Sequence, residues 1–512
     1  MVGSSPVAEE LTSLLERGNA EAPCIGAPGL PPLRYAELRA LFDATHRDLR
    51  RAGIGLGDSV ALVMPNGPDA ASAFVSIAAS AIAAPLNPAY TAEELDFYLT
   101  DLQASALVVP RGFASPARAV AERRGILVFA LEPTGKAAGD FRLVPESPPS
   151  REPKSEGIGT RSDIALVLHT SGTTARPKIV PLTQGNLCAS AHNIGASLAL
   201  RPDDVCLDVM PLFHIHGLVA AVLATLAAGA SVSCPPGFDA LKFFAWLEEV
   251  QPTWYTAVPT MHQAILSRAA RNRSIVEKSR LRLVRSSSAS LPRQVMQELE
   301  DTFRCPVIEA YGMTEAAHQM ASNPLPPRAR KPGTVGVPAG PEIAIMSADG
   351  ALLPVRATGE VVIRGPNVTA GYLRNPDANA RAFVDGWFRT GDEGQLDEDG
   401  YLHLTGRLKE MINRGGEKVS PLEVDDVLRA HPAIEQVVTF ALPHDKLGEE
   451  VGAAVILRAD ASITERELRE FAAARLAPFK VPRRIVFVTE IPKGPTGKVQ
   501  RIGLAQRLGV HA

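Results

Sequence analysis

A loop rich in hydroxyl and glycine residues is the first part of the sequence that could bind phosphate. An apolar run at 164–168 leads through His169 into Thr170, Ser171, Gly172, Thr173, Thr174, Ala175, Arg176, Pro177 and Lys178. Backbone N–H and side-chain O–H groups donate to phosphate oxygens, and a lysine adds positive charge. The chain contains no Walker A pattern. Taken alone, the loop is compatible with a phosphate cradle or with an ordinary turn.

A second motif places a hydroxyl beside a carboxylate. It comprises Tyr311, Gly312, Met313, Thr314 and Glu315. Such hard oxygen ligands are the type that Mg²⁺ prefers. The alternative is a turn in which Thr314 caps the N-terminus of a helix.

A third motif, 387–392, ends in Gly391 and Asp392, and its carboxylate could accept hydrogen bonds from both hydroxyls of a ribose. A strand that ends in a Gly-Asp turn is the alternative.

The fourth motif is the charged run 406–410, with Arg407 and Lys409, and a loop containing Gly415 and Gly416 follows it. Two adjacent glycines allow close approach of the backbone and positive φ.

The fifth motif, 495–498, ends in Lys498 close to the C-terminus. A lone lysine there is usually just solvated. Its position makes it notable, because it closes a charged unit that begins after the run 406–410.

In type and order, these five motifs resemble those of the adenylate-forming superfamily, which includes acyl-CoA synthetases, peptide-synthetase adenylation domains and beetle luciferases. The resemblance extends over residues 165–500. One departure is Ile179, which stands where the family commonly has glycine after the lysine. The resemblance implies an enzyme that activates a carboxylic acid with ATP and Mg²⁺ and then transfers the acyl group to CoA as co-substrate.

The resemblance also implies roles for individual residues. Catalytic roles fall to Lys498, Thr314, Glu315 and His214, and Thr170 and Glu315 are the expected Mg²⁺ ligands. Lys409 is the expected pivot of a rotating C-terminal domain. The residues expected to contact nucleotide or CoA are Thr170, Ser171, Gly172, Thr173, Thr174, Lys178, Ser288, Ala289, Ser290, Glu309, Ala310, Tyr311, Gly312, Thr314, Asp392, Arg407, Lys409, Gly415 and Gly416.

The acid pocket of this family lies near three segments, 211–217, 285–290 and 310–318. Members that take long or aromatic acids tend to have Gly or Ala in the second segment, whereas this chain has a run of serines. Hydroxyls and imidazoles can hydrogen-bond a second carboxylate, and an apolar tail would leave them unpaired. The residues expected to bind the acid are His214, His216, Ser287, Ser288, Ser290 and His318.

These residues, with the segments 254–260 and 316–318, closely resemble those of plant and fungal oxalate-CoA ligases. The segments 323–326 and 86–91 indicate the same relatives, so oxalate is the expected acid. Malonate or methylmalonate and a short or medium-chain fatty acid are the alternatives. It also remains open that His214 and His216 only gate or pack, and that the serine run is a loop that caps itself. Rival classes are a carrier-protein adenylation enzyme, a luciferase-like oxygenase and a non-catalytic nucleotide-binding regulator.

The expected fold is α/β and α+β. Buried strands at 59–64, 105–109 and 164–168 alternate with helices such as 70–83, which indicates parallel sheets covered on both faces. From about Gly336 the pattern changes to paired strands, at 342–346 and 359–364, which suggests a barrel-like section. We expect a large N-terminal domain over residues 1–408 and a small, mobile α+β domain over residues 409–512, with helices at 420–429 and 464–476 and a strand at 437–440.

Composition limits the remaining possibilities. The 512 residues carry a formal net charge of -3, which provides no footprint for nucleic acid. The five cysteines are widely spaced, so we expect free thiols and a cytoplasmic location. Residues 209–238 contain no charged side chain, but prolines and histidines interrupt them. A buried helix, and not a membrane span, is therefore expected at 217–230.

Overall fold

A computed structural model of the chain describes residues 10–147, 152, 157–170, 177–492 and 499–510. The chain packs as two compact units, each built from separated segments. The first unit comprises Met1–Glu342 and Ile363–Gly386, and the second comprises Ile343–Val362 and Trp387–Ala512. The functional division into residues 1–408 and 409–512 stays a prediction.

The strands follow the chain as β1 (Pro23–Ala27), β2 (Leu30–Arg34), β3 (Ser59–Val63), β4 (Ile82–Leu86), β5 (Ala106–Pro110), β6 (Leu127–Pro133), β7 (Phe141–Pro145), β8 (Ile164–Thr170), β9 (Lys178–Thr183), β10 (Val205–Asp208), β11 (Ser231–Ser233), β12 (Trp254–Ala257), β13 (Leu283–Ser286), β14 (Val307–Met313), β15 (His318–Ser322), β16 (Val337–Pro338), β17 (Glu342–Met346), β18 (Gly359–Arg364), β19 (Phe383–Val384), β20 (Trp387–Leu396), β21 (Leu402–Arg407), β22 (Ile412–Arg414), β23 (Glu417–Val419), β24 (Ile434–His444), β25 (Gly448–Leu457) and β26 (Arg484–Phe487).

The α-helices are α1 (Leu11–Leu15), α2 (Tyr35–Arg51), α3 (Pro68–Ala78), α4 (Ala92–Asp101), α5 (Ala117–Arg123), α6 (Gln184–Ser197), α7 (Ala224–Ala227), α8 (Phe243–Val250), α9 (Pro259–Ala269), α10 (Arg273–Glu277), α11 (Arg293–Phe303), α12 (Pro376–Ala382), α13 (Pro421–Arg429), α14 (Glu465–Ala473) and α15 (Leu504–Arg507). A π-helix spans His216–Leu223, and short 3₁₀ turns span Ala270–Asn272, Thr314–Ala316 and Pro478–Lys480.

One sheet of the first unit has the strand order β7-β6-β5-β3-β4-β8-β9. Its central strands are parallel, and β7 and β9 are antiparallel edges. The strands predicted at 59–64, 105–109 and 164–168 are confirmed. The helix predicted at 70–83 was too long, because α3 ends at Ala78 and Ile82 begins β4, which pairs in parallel with β3. Pairing of this small-residue strand outweighs the helix propensity of its alanines.

The other sheet of the first unit has the order β16-β15-β14-β13-β12-β10-β11-β1-β2. Strands β10 to β14 in this sheet are parallel, so their carboxyl ends meet at one edge. The buried helix predicted at 217–230 is confirmed, but its first part, His216–Leu223, is a π-helix followed by α7. Among the described residues, no helix is long and apolar enough to cross a membrane.

In the second unit, β17, β18, β20 and β21 are neighbours in one sheet, as the predicted barrel-like section requires. Strand β20 does not end at Asp392 but continues to Leu396 beside β21. A further sheet has the order β23-β22-β25-β24, and β26 lies parallel to β25. The two predicted helices of this section are confirmed as α13 and α14, and each has a side-chain N-cap, from Ser420 and Thr464 respectively.

Candidate active site

The two ends of the hydroxyl-rich loop lie side by side in the structure. Strands β8 and β9 are antiparallel neighbours, and Thr170 is opposite Lys178 in their register. The Thr170 hydroxyl also lies 3.5 Å from the Lys178 carbonyl oxygen, to which it donates. Ser171, Gly172, Thr173 and Thr174 lie outside the described residues. The sheet therefore fixes where a phosphate-binding loop would begin and end.

Glu315 lies in the 3₁₀ turn that follows β14, and its side chain is buried. The Tyr372 hydroxyl donates a hydrogen bond of 2.9 Å to its Oε1 atom. The Nζ atom of Lys178 lies 4.3 Å from the centroid of the Tyr372 ring. One tyrosine thus contacts two residues that the sequence predicted independently. Thr314 is half-buried and begins the turn, whose N-cap is Met313, so the alternative in which Thr314 is the cap is wrong.

The donor set offered by Thr170 and Glu315, one hydroxyl and one carboxylate, fits Mg²⁺. This ion usually binds one or two carboxylates and completes its shell with water and substrate phosphates. The described residues contain no cluster of three or more His, Cys, Asp or Glu that could hold a metal alone.

A tight β14–β15 hairpin carries Gly312 and His318. A Cβ atom on Gly312 would lie 2.0 Å from the His318 carbonyl oxygen, so only glycine allows the two strands to approach. Ala310 and Tyr311 are buried in β14. The carboxylate of Glu309, predicted to contact nucleotide, accepts a hydrogen bond of 2.8 Å from the Leu291 backbone N–H and so holds the end of the serine loop.

His216 and His318, predicted to bind the acid, are both buried, and their ring centroids lie 4.9 Å apart. The Nδ1 atom of His216 lies 3.0 Å from the Ser288 hydroxyl, and its Nε2 atom lies 2.6 Å from the Thr256 hydroxyl. The structure therefore brings together the serine loop and both histidines, as the sequence analysis expected.

Arg285 lies between the two histidines and was not among the predicted site residues. It projects from β13 at the edge where the carboxyl ends of the parallel strands meet, and it is fully buried. Its Nη1 donates to His216 Nε2 at 3.3 Å, and its Nη2 donates to His318 Nδ1 at 3.4 Å and to Gln319 Oε1 at 3.3 Å. Because a guanidinium only donates, both imidazoles act as neutral acceptors.

The charge of Arg285 is poorly compensated. No carboxylate in the described part of the chain forms an ion pair with it, and burial lowers its pKa to about 9. Its Nε atom also has no hydrogen-bond partner among the described residues. A buried positive charge held only by neutral acceptors would be stabilised by an anion.

The other predicted acid-binding residues occupy different environments. Ser287 is buried and donates 2.8 Å to the Ala310 carbonyl oxygen, which links β13 to β14. Ser288 is half-buried with φ +74°, and its hydroxyl contacts His216. Ala289 and Ser290 are exposed, and His214 is half-buried beside Phe213. Roles for Ser290 and His214 stay predictions.

In the second unit, the two residues predicted to contact ribose are paired. Asp392 on β20 lies opposite Arg407 on β21, and Arg407 Nε lies 3.0 Å from Asp392 Oδ1. Asp392 is buried, whereas Arg407 is half-exposed. A carboxylate is the type of group that accepts hydrogen bonds from the two hydroxyls of a ribose.

The remaining predicted residues of the second unit lie on turns. Lys409 is exposed immediately after β21. Gly415 and Gly416 form the turn between β22 and β23, with φ of +62° and +97°, so glycine is required there. Lys498 lies outside the described residues.

An ion-pair cluster in the second unit includes the residue three positions after Lys498. Arg501 donates 2.6 Å to Asp425 Oδ2 and 2.8 Å to the Thr439 carbonyl oxygen. Its Nε also lies 3.5 Å from a carboxylate oxygen of Glu410, the neighbour of Lys409. Burial raises the pKa of Glu410, and the Arg501 charge opposes that rise.

Comparisons with known proteins give the family of the chain. The model of the AMP-binding enzyme family matches residues 22–373, and that of the AMP-binding enzyme C-terminal domain matches residues 423–498. The chain is 46% identical to the probable CoA ligase CCL9 of Humulus lupulus, over 96% of this chain and 95% of that protein. It is 45% identical to the oxalate–CoA ligase of Arabidopsis thaliana, over 97% and 98%.

Among solved structures, ATP-bound MatB from Rhodopseudomonas palustris matches with a TM-score of 0.86 and 30% identity, over 97% of this chain and 98% of that one. The chain therefore belongs to the AMP-binding enzyme family. The class predicted from the five motifs, an AMP-forming acyl-CoA synthetase, is confirmed.

Two functional candidates were missed from the sequence, Arg285 and Tyr372. Arg285 follows two apolar residues in the strand Leu283–Ser286, whose residues are all buried. A charged residue in a short apolar run was the available signal. Tyr372 lies in no motif that was recognised, and only the fold brings it to Glu315.

Proposed function

We propose that the chain is an ATP-dependent acyl-CoA ligase whose favoured acid is oxalate. The observation that carries the choice of acid is Arg285, which is buried between His216 and His318 with neutral acceptors around it. An acid with a second carboxylate supplies the missing negative charge. The oxalate–CoA ligase of Arabidopsis thaliana, similar over nearly its full length, supports the same acid.

A short diacid suits this arrangement for energetic reasons. A carboxylate against a guanidinium forms charge-assisted hydrogen bonds, which are about twice as strong as neutral ones. An apolar tail in the same place would leave the guanidinium and its neighbours without an anion. Sites built from buried donors reject analogues that lack the matching group by about 10⁴-fold.

In the first half-reaction, the substrate carboxylate attacks the α-phosphorus of ATP and pyrophosphate leaves. We assign to the loop from Thr170 to Thr174, and to Lys498, the donation of hydrogen bonds and positive charge to the phosphoryl oxygens. Glu315 and Thr170 would hold Mg²⁺, which supplies charge neutralisation at the phosphates when bound. Asp392 would accept hydrogen bonds from the ribose hydroxyls.

In the second half-reaction, the CoA thiol attacks the acyl-adenylate, AMP leaves, and the thioester forms. Lys498 is then no longer needed, and we propose that the small C-terminal domain rotates about Lys409 between the two steps. Gly415 and Gly416 would then line the passage for the pantetheine arm.

The five cysteines are all buried and form no disulfide, which supports the proposed cytoplasmic location.

A panel of four acids tests the choice of substrate. Oxalate, malonate, acetate and octanoate are each supplied with ATP, Mg²⁺ and CoA, and both pyrophosphate and acyl-CoA are measured. We expect kcat/KM for oxalate to exceed that for acetate and octanoate by about 10³-fold or more, because both lack the second carboxylate. A preference for octanoate would refute the anion-binding role of the cluster, and a preference for malonate would keep that role but change the acid.

A further inference from the structure

We propose that Tyr372 is a positioning residue for the adenylation step. Its hydroxyl holds Glu315, and the face of its ring holds Lys178. The inference rests on the proposed function, since it assigns Glu315 to Mg²⁺ and Lys178 to the phosphates. It adds a residue outside the five motifs and a physical link between two of them.

Tyr372 contacts its two partners through different parts of its side chain. Its hydroxyl lies 2.9 Å from Oε1 of Glu315, and the ammonium of Lys178 lies over the ring at 4.3 Å from the centroid. The first is a hydrogen bond to a carboxylate, and the second is a cation–π contact.

The backbone around Tyr372 is tied to the same two elements. We call residues 369–373 the bridging segment. The backbone N–H of Thr369 donates 2.7 Å to the Glu315 carbonyl oxygen, and the Thr369 hydroxyl donates 2.7 Å to the Pro181 carbonyl oxygen. The N–H of Leu373 donates 3.0 Å to the Ile179 carbonyl oxygen. The bridging segment therefore joins the Glu315 turn to β9, the strand that Lys178 begins.

Tyr372 itself has little freedom. Its N–H donates 2.7 Å to Asn379 Oδ1, and Asn379 Nδ2 donates 3.0 Å to the Tyr372 carbonyl oxygen. Its side chain is buried, so packing also restricts the position of its ring and hydroxyl.

Two substitutions separate the two contacts. Tyr372→Phe removes the hydroxyl and keeps the ring under Lys178, whereas Tyr372→Leu removes both. The matched control is Tyr35→Phe, because Tyr35 is also buried and its hydroxyl donates 2.7 Å to the Ala230 carbonyl oxygen, outside the predicted site. Each variant is assayed for ATP binding by titration calorimetry across a Mg²⁺ series, for pyrophosphate release and for thermal unfolding.

We expect Tyr372→Phe to raise the Mg²⁺ concentration for half-maximal ATP binding about tenfold, as loss of a hydrogen-bonding partner of a metal ligand typically does. ATP binding without Mg²⁺ should be unchanged in this variant. Tyr372→Leu should in addition weaken ATP binding without Mg²⁺ by about fivefold, because Lys178 loses its ring contact. Thioester formation from supplied acyl-adenylate should fall less than pyrophosphate release in both variants, because Glu315 is assigned to Mg²⁺ in the first half-reaction.

A variant that already lacks the Glu315 carboxylate tests whether Tyr372 acts through Glu315. In Glu315→Gln, adding Tyr372→Phe should cause no further change in the Mg²⁺ midpoint, since the carboxylate that would bind Mg²⁺ is already absent. If Tyr372→Phe lowers the unfolding temperature as Tyr35→Phe does but leaves the Mg²⁺ midpoint unchanged, Tyr372 only packs and the proposal fails. Failure of the wild type to form oxalyl-CoA would instead refute the proposed acid, because the calorimetric midpoints do not depend on which acid reacts.

Discussion

In the proposed acid site, Arg285 would both bind the substrate and lower the stability of the fold. Its guanidinium is fully buried, and its described partners are imidazoles, a hydroxyl and an amide oxygen, all of them neutral. A buried charge without a counter-ion costs folding free energy that a substrate carboxylate would offset. The proposed preference for a diacid and the cost in folding free energy thus arise from the same guanidinium group.

The Arg285→Met variant tests this conflict. Without added acid, we expect its unfolding temperature to rise above that of the wild type, because an uncompensated buried charge is replaced by an apolar side chain of similar length. We expect kcat/KM for oxalate to fall by about 10³-fold, with acetate much less affected. Differential scanning calorimetry and the acid panel measure the two effects. A variant that loses stability and keeps its preference for oxalate would exclude the proposed role of Arg285.

The sequence predicted part of this site for identifiable reasons. His216, His318 and Ser288 were predicted from the family resemblance and the polarity of the segments, and the structure places them together. Arg285 escaped because arginine in a strand usually faces solvent. Only the sheet, which covers β13 on both sides with β12 and β14, shows that this arginine is internal.

At the scale of elements, the ion-pair cluster of the second unit joins helix α13 to strand β24 and to the segment after Lys498. Asp425 on α13 is almost fully buried and accepts from both the Thr439 backbone N–H, at 2.6 Å, and Arg501, at 2.6 Å. Removing the carboxylate would leave both donors buried without their acceptor. This cluster therefore fixes the start of the last segment.

We expect Asp425→Ala to lower the free energy of local opening of α13 and β24 by about 3–5 kcal/mol, the usual cost of breaking one side of a buried ion pair. The matched control is Asp426→Ala. Asp426 is the exposed neighbour that pairs with Arg429, and its loss should cost about 0.5 kcal/mol or less. Hydrogen exchange of peptides from 421–444 measures both. Equal exchange rates in the two variants would contradict the structural importance of Asp425.

The sequence predicted the type of most elements and fewer of their ends. Helix α13 was predicted with its cap because Ser-Pro at its start is a strong local signal. The end of α3 was missed because Ile82–Leu86 is as rich in alanine as a helix, and only its pairing with β3 makes it a strand. The π-helix at His216–Leu223 has no local signature, since its sequence is uniformly apolar after the histidine.

At the scale of the whole molecule, the reactivity of the cysteine thiols reports on folding. The five cysteines, all of them in the described part of the chain, are buried and form no disulfide: Cys24, Cys188, Cys206, Cys234 and Cys305. Burial raises the pKa of Cys24 and Cys305 to about 12. The reactive species is the thiolate, so both access and ionisation are suppressed in the folded chain.

We therefore expect a disulfide reagent such as DTNB to react negligibly with the native enzyme and to release five equivalents after denaturation. The reaction rate across a denaturant series should follow the unfolding curve measured by circular dichroism. Rapid reaction of one thiol in the native enzyme would show that one of the five sites opens on its own.

The interleaving of the two units has a consequence for biosynthesis. Residues 343–362 of the second unit leave the ribosome before residues 363–386, which belong to the first. That late segment contains Tyr372 and Asn379, so the first unit lacks its last internal contacts until part of the second has been made. Translation past residue 386 is thus required before the first unit can fold completely, and a nascent chain stalled at 362 would expose an unfinished, chaperone-accessible intermediate.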